Sequence, residues 1–571
     1  MQILICDALT CGDGERSLTR DFIGAGPRTV ASVLYSIFGN SSKIYIKRFE
    51  ELLNILDSPN ARIFNPITQA LELLEIKTID ILMISAMSMD EKSVLTLIKK
   101  WKQHSSSSSL ISLGGPIVSD PFVIKRVGAD IAMIGESESL LFDLFSEYKS
   151  KTFEKAEFLK HAKTKPNIAF LNQAKKVEFI NAQNPSRYLS RAAFEQLNLD
   201  PRFITAYSDF VTAKIYVECV RGCSNYRRTS IPIDNHVCNP SCGLCRGENF
   251  KTSRNCPSEI HPGCGFCSTN FIHGPVRSKS VEAIKNEIQK LIDLGAKRIV
   301  LGGPDFLDFR RELLVPNGEI LSTPTIPPPP NYEELNRLVE SILKIKQIQT
   351  RDAFVFIENI KAALCTDQAL DILAKLPDPI FSIGCETGSD RFADILGRPN
   401  CPSITYDAVK RAIQRGIRIH VYFIHDLPGD TVEYAKDTLE LLNKFAQLNV
   451  DKFTIYKYQE VPGSPFYYRN REQKQQKPDP ELLKMEIKIK NFVIKYNERK
   501  KQMMINKKFR VLIAEPNKFK RGDAIGIIME GGPKVSIAQA ANLINTIQTV
   551  RISKVISDKL VEGKLILDEN I

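Results

Sequence analysis

Eight of the 13 cysteines fall between Cys219 and Cys267. The text there runs ECVRGCSNYRR, then VCNPSCGLCRGE, then NCPSEIHPGCGFCST. Thiols this dense either form the disulfide framework of a small secreted domain or hold metal ions and iron–sulfur clusters in a reducing compartment. The opening residues MQILICDALTCGDGE show no basic region, apolar stretch or cleavage site, and no run approaches the ~18 apolar residues of a membrane span. A cytoplasmic protein without a membrane partner is expected, and there the cysteines read as metal ligands.

Elements that could position these thiols flank them on both sides. At 571 residues the chain has room for several domains. Residues 1–150 alternate apolar runs (MQILIC, KIYIKRF, IDILMISAM, SLISLGGP, ADIAMIG) with helical spacing, the pattern of a doubly wound parallel sheet. Residues 151–205 are weakly patterned and read as a linker region. A second βα series spans 206–470: IYVEC, the cysteines, a helix over 281–294, RIVLGG, AFVFIEN, PIFSIGCE, IRIHVYFIH and KFTIYKY. Repeated βα units predict a full or partial barrel with its chemistry at the C-terminal ends of the strands. Residues 471–507 form a basic helical linker, and 508–571 alternate as a small β-barrel. The whole is of the α/β class.

The net charge of +12 is concentrated: Arg469 to Arg521 holds 17 Lys/Arg against 6 Asp/Glu. Such a strip is either a solvated basic helix or the footprint of a polyanion partner.

Over residues 214–466 the sequence resembles the radical SAM superfamily. Beyond the cysteines, the ordered motifs are Gly302-Gly303 closing a strand, IGCETGSD with Gly397-Arg398 downstream, HVYFIHDLPGDT, and VPGSPFY. The resemblance implies a partial (β/α) barrel and a [4Fe-4S] cluster on three cysteines, with one iron open to S-adenosylmethionine (SAM). It also implies an external electron donor. Gly302, Gly303 and Glu386 are the SAM-binding candidates. Two cysteine triplets compete for the cluster. Cys238, Cys242 and Cys245 have the family's usual C-x3-C-x2-C spacing. Cys223, Cys264 and Cys267 have its context, because Cys223 follows a strand and Phe266-Cys267 leads into the helix at Val281. On the second reading, residues 224–263 are an insertion, and Cys238, Cys242, Cys245 and Cys256 bind an auxiliary iron–sulfur cluster or zinc.

Residues 1–150 resemble the cobalamin-binding domain that precedes many radical SAM modules, through IDILMISAM, LGGPIVS and GADIAMIGESE. Gly114, Gly115 and Gly135 are its candidate contacts. No Asp-x-His-x-x-Gly occurs there to offer cobalt a histidine, and a relic sheet without cofactor is the alternative. Methylthiotransferases have a related sheet with three cluster cysteines, which Cys6 and Cys11 alone cannot supply. The last 60 or so residues resemble a TRAM domain, an OB-like barrel of RNA-modifying enzymes. There Lys507, Lys508, Arg510, Lys518, Lys520 and Arg521 would neutralise phosphates while Phe519 stacks.

Together these resemblances imply a cobalamin-dependent radical SAM methyltransferase acting on RNA, with tRNA foremost. A methylthiotransferase, a peptide-modifying methyltransferase and a non-catalytic iron–sulfur protein that binds RNA or carries electrons are the alternatives. The sequence leaves the oligomeric state open.

Overall fold

The computed structural model describes residues 1–9, 11, 22–58, 61–149, 151–180, 188–234, 236–239, 242–246, 250–469, 479–557 and 559–566. The chain divides into two compact units, the first made chiefly of Met1–Phe210 and the second chiefly of Val211–Asn270, Pro275–Glu460 and Ser464–Ile571.

In the first unit, β1 (Gln2–Asp7), β2 (Lys43–Arg48), β3 (Ile81–Ser85), β4 (Leu110–Gly114) and β5 (Ile131–Met133) run parallel in the order β2-β1-β3-β4-β5. This is the flavodoxin-like winding, whose ligands bind at the carboxyl ends of the strands. Both faces are covered, so the runs are continuously apolar: Ile3, Leu4, Ile5 and Cys6 are all buried. Trp101, from the helix Glu91–His104, fills the core beside Leu82, Ile84 and Leu113.

The stretch 151–205 is not simply a linker. It adds β6 (Ile168–Leu171), antiparallel to β5, and β7 (Val177–Phe179), antiparallel to β6. These strands are four and three residues long, and edge strand β7 carries the exposed Glu178 between half-buried neighbours. Runs so short leave no readable period.

In the second unit, β8 (Lys214–Glu218), β9 (Arg298–Gly302), β10 (Phe354–Ile357), β11 (Ile380–Glu386), β12 (Arg418–His425) and β13 (Lys452–Lys457) pair parallel in chain order. Helices such as Val281–Asp293, Asp367–Leu373 and Val432–Gln447 connect them, each begun by an N-cap hydroxyl (Ser280, Thr366, Thr431). Alternation on β12 separates two faces: Ile419, Val421 and Phe423 are fully buried, while His420, Tyr422 and Ile424 are half-buried. The same split on β8 buries Ile215 and Val217 but not Lys214, Tyr216 and Glu218. The sheet curls about its polar face, so that Tyr216 on β8 reaches across β9 to hydrogen-bond Glu358, the residue after β10. The result is a partial (β/α) barrel with a polar lumen.

After the helix Pro480–Gln502, strands β14 (Lys508–Pro516), β15 (Ala524–Ile528), β16 (Lys534–Ile537), β17 (Ile547–Val555) and β18 (Leu560–Leu565) close into a five-stranded barrel, consistent with an OB-like domain. Val511, Ile513, Val535, Ile537, Val550 and Val561 form its core. Its Leu512 and Met529 pack on Val300, Phe354, Phe356 and Ile380, and Arg418 Nη1 donates to the Glu530 carbonyl at 2.6 Å. Phe354, Ile380 and Arg418 each begin a strand, so the small barrel stoppers the N-terminal end of the lumen. Among the described residues no helix is long and apolar enough to cross a membrane.

Candidate active site

The eight clustered cysteines separate in space. Cys219, directly after β8, is fully buried and donates its thiol to the Val217 carbonyl at 3.5 Å. Four residues on, Cys223 Sγ accepts from the Asn225 backbone N–H at 3.4 Å. Asn225 Nδ2 donates to Cys264 Sγ at 3.3 Å, and Arg398 Nη1 approaches the same sulfur at 3.7 Å. Cys267 N–H donates to the Cys264 carbonyl at 2.9 Å. Burial pushes the Cys223 thiol up to about 12, against the pull of Lys361. Burial, then Cys264, also raises Cys267. Cys223, Cys264 and Cys267 are therefore neighbours, brought together by Asn225 and the 264–267 turn.

The other four line a different pocket. Cys238, Cys242, Cys245 and Cys256 face one cavity of about 70 Å³, with Arg228 in its wall. Burial and then the neighbouring Cys245 raise the Cys238 thiol. Arg228, itself buried, donates to the carbonyls of Tyr226, Ser253, Arg254 and Ile260 at 2.7–2.8 Å and so fastens the inserted loop to the chain before it. Arg246 forks onto Asp394 at 2.9 and 3.1 Å.

Among the described residues no three thiol, imidazole or carboxylate groups already stand as a metal cage. The donor chemistry nevertheless fits iron–sulfur ligation at the first group. The sulfurs of Cys223 and Cys264 receive N–H donors, a standard means of setting cluster potential, and a bound metal would supply the positive charge that partly buried thiolates require.

Three strand ends meet this triplet. Gly302 ends β9, and a side chain at Gly303 would stand 3.0 Å from Val220 Cβ, so the glycine pair is demanded by the close approach of the chain leaving β8. At the end of β11 the register slips between Gly384 and Glu386, and Glu386 takes a φ of 68°. A non-glycine residue there costs on the order of 1 kcal/mol or more, and such strain concentrates at functional sites. Glu386 pairs with Arg398 at 3.4 Å. Arg398, which also reaches Cys264, thus joins the strained carboxylate to the thiol triplet.

The third strand end carries a charge network that sequence reasoning missed. Lys361, four residues beyond β10, donates to Ser224 Oγ at 2.6 Å and pairs with Asp308 at 2.5 Å and Asp305 at 3.2 Å. Arg311 closes on Asp308 at 2.8 Å. Burial alone would discharge Lys361, but Asp308, Cys223 and Asp305 hold its ammonium well above the ordinary lysine value. Removing one partner of a buried ion pair costs about 3–5 kcal/mol. Lys361→Met should therefore lower the unfolding free energy in urea by that order; a loss under about 1 kcal/mol would show that water already screens the network.

The remaining sequence candidates lie elsewhere. In the first unit, Gly114 ends β4 facing open space, and Gly115, at φ 85°, sits where a side chain would meet the Ala86 carbonyl at 2.8 Å. Gly135 follows β5 by two residues. On the small barrel, Lys507, Lys508, Lys518, Lys520 and Arg521 are exposed, and Phe519 stands 95% exposed at the tip of the loop between β14 and β15. Arg510 instead contacts the partial barrel: it donates to the Arg351 carbonyl at 2.5 Å and pairs with Asp352 at 3.5 Å. Residues 470–478 of the basic strip lie outside the described residues.

Residues 251–442 match the radical SAM superfamily. Over 566 residues the chain is 32% identical to an uncharacterized protein of Methanopyrus kandleri, MK0932, covering 99% of this chain and 96% of that protein. It is 25% identical over 312 residues to a tRNA-2-methylthio-N(6)-dimethylallyladenosine synthase of Histophilus somni, covering 54% of this chain and 60% of the synthase. Among solved structures, the radical S-adenosylmethionine methyltransferase TsrM of Kitasatospora setae, bound to tryptophan substrate and a SAM analogue, matches with a TM-score of 0.52 at 10% identity, over 81% of this chain and 74% of that one. The same enzyme with cobalamin and a [4Fe-4S] cluster gives 0.50. At that identity the likeness is one of fold. The chain belongs to the radical SAM superfamily, and is an enzyme whose family implies a [4Fe-4S] cluster and SAM.

Proposed function

We propose that this enzyme transfers a methyl group to an unactivated carbon of an RNA, a tRNA foremost, with cobalamin as methyl carrier. The observation that carries the reading is the convergence of Cys223, Cys264 and Cys267 with Glu386 through Arg398 at the C-terminal end of the partial barrel. When bound, the cluster and SAM supply an adenosyl radical, the kind of reagent needed for a carbon that no protein acid or base activates.

The chain's own residues do the holding. Cys223, Cys264 and Cys267 ligate the cluster, and Asn225 and Arg398 donate hydrogen bonds to its sulfurs. Glu386 takes the SAM ribose, and the Gly302-Gly303 backbone takes the methionyl end. Gly114, Gly115 and Gly135 give cobalamin close backbone approach at the strand ends of the first unit. Cys238, Cys242, Cys245 and Cys256 hold an auxiliary cluster. The five-stranded barrel serves as a TRAM domain, with Lys518, Lys520 and Arg521 on phosphates and Phe519 against a base. An external donor supplies the electron.

The test is anaerobic incubation of the reconstituted protein with SAM, reductant, cobalamin and tRNA. Expected products are 5'-deoxyadenosine, S-adenosylhomocysteine and a methylated nucleoside. Absence of any SAM-derived product sinks the proposal. A methylthiolated nucleoside instead would favour the second reading, which rests on the likeness to the methylthio-forming synthase and on the inserted cysteines as a sulfur source.

A further inference from the structure

The lumen of the partial barrel holds a polar group that neither the cluster nor the SAM candidates use. Its floor is apolar, built by Phe354, Phe356 and Val300 against Met529 and Leu512. Above the floor, Glu358 accepts hydrogen bonds from Tyr216 Oη and from Lys214 Nζ, the latter at 3.2 Å. Tyr422 Oη bonds Ser382 Oγ at 3.0 Å, and the Tyr456 ring, 54% exposed, lies 5.9 Å from that of Tyr422. Burial, Glu358 and the neighbouring phenols Tyr422 and Tyr456 together raise the Tyr216 phenol well above its ordinary value. Tyr216 stands on β8 and Tyr456 on β13, the first and last of the six parallel strands, and the curl brings their phenols and that of Tyr422 around one space.

The chemistry of this lining selects its occupant. Phenol rings offer flat faces for stacking. A carboxylate only accepts, and each of its oxygens can accept two hydrogen bonds. One donor on each oxygen of Glu358 therefore leaves room for donors from a ligand. The Lys214 ammonium beside it disfavours a cationic ligand and favours a neutral N–H edge.

We infer that Glu358 and the Tyr216–Tyr422–Tyr456 rings form the seat of the base to be modified, and that this base is one with an amino donor edge (adenine, cytosine or guanine) rather than uracil. Uracil turns carbonyl oxygens to both sides of its single ring N–H donor, and these would face the carboxylate. Glu358 is thus a specificity-determining residue. The inference rests on the RNA reading above and sharpens it from RNA to a class of base.

The test uses the full chain with its cluster and SAM but no reductant, and measures equilibrium binding of AMP, CMP, GMP and UMP. At least one of the amino-bearing nucleotides is expected to bind about 10-fold more tightly than UMP, the scale of one buried hydrogen bond to a charged group. Glu358→Gln should erase that preference while leaving the cluster's visible spectrum and SAM binding unchanged, and Tyr456→Ala should weaken all four nucleotides alike. Equal binding of UMP, no binding of any nucleotide, or a preference that survives Glu358→Gln overturns the seat. The two readings fail separately. A Glu358→Gln enzyme that still modifies tRNA at the wild-type rate removes the seat and keeps the RNA substrate. A peptide modified in place of tRNA, with no nucleotide bound, removes both.

Discussion

Cys223→Ala is expected to abolish SAM cleavage completely and to remove about four irons per chain, the content of one [4Fe-4S] cluster. Cys264→Ala and Cys267→Ala should do the same. A cluster that must keep one iron open has no spare thiolate. Asn225 shows why the three act as one unit: its backbone N–H serves Cys223 and its side chain serves Cys264, while Cys267 is tied to Cys264 through the backbone. Loss of the Cys223 or the Cys264 sulfur removes an acceptor of Asn225 and with it one of the ties that gather the three. Cys219→Ala is the control, because that thiol is fully buried and donates to the Val217 carbonyl, and it should retain SAM cleavage. 5'-Deoxyadenosine formation by the Cys223→Ala protein at the wild-type rate would remove this triplet from consideration.

The Cys238→Ala/Cys242→Ala/Cys245→Ala protein gives the opposite expectation: SAM cleavage survives, and about half the iron disappears if both sites hold four-iron clusters. Zinc lost in its place would identify a structural zinc site. These thiols share their cavity with Cys256, and the loop carrying them is held by Arg228 through the carbonyls of Ser253, Arg254 and Ile260. Emptying the cavity should therefore loosen residues 253–260 more than the barrel strands. Iron, sulfide and zinc analysis beside a SAM cleavage assay decides it. If cleavage vanishes with the iron, the regular C-x3-C-x2-C spacing marks the SAM cluster after all.

What could be read from the sequence depended on how local the determining physics is. The strands β1 to β5 were legible as buried apolar runs, and β8 to β13 as apolar or alternating ones. The strands β6 and β7 were not, being too short to show a period. Cysteine density pointed to thiolate ligation, yet the regular triplet and the one gathered by Asn225 differ, because the latter unites residues about 40 positions apart. The Lys361 network was invisible for the same reason: Ser224, Asp305, Asp308 and Lys361 come from three separate strand ends and match no motif. Arg510 counted as a phosphate ligand by charge alone, whereas its contact with residues 351 and 352 exists only once the two barrels are packed.

The stopper formed by Leu512 and Met529 also sets a direction of traffic. With the N-terminal end shut, the end left open is the strands' C-terminal rim, where Cys223, Cys264, Cys267 and Glu386 lie. The lumen is thus blind at its floor: a group seated over Phe354 and Phe356 can leave only toward the end that carries the thiol triplet.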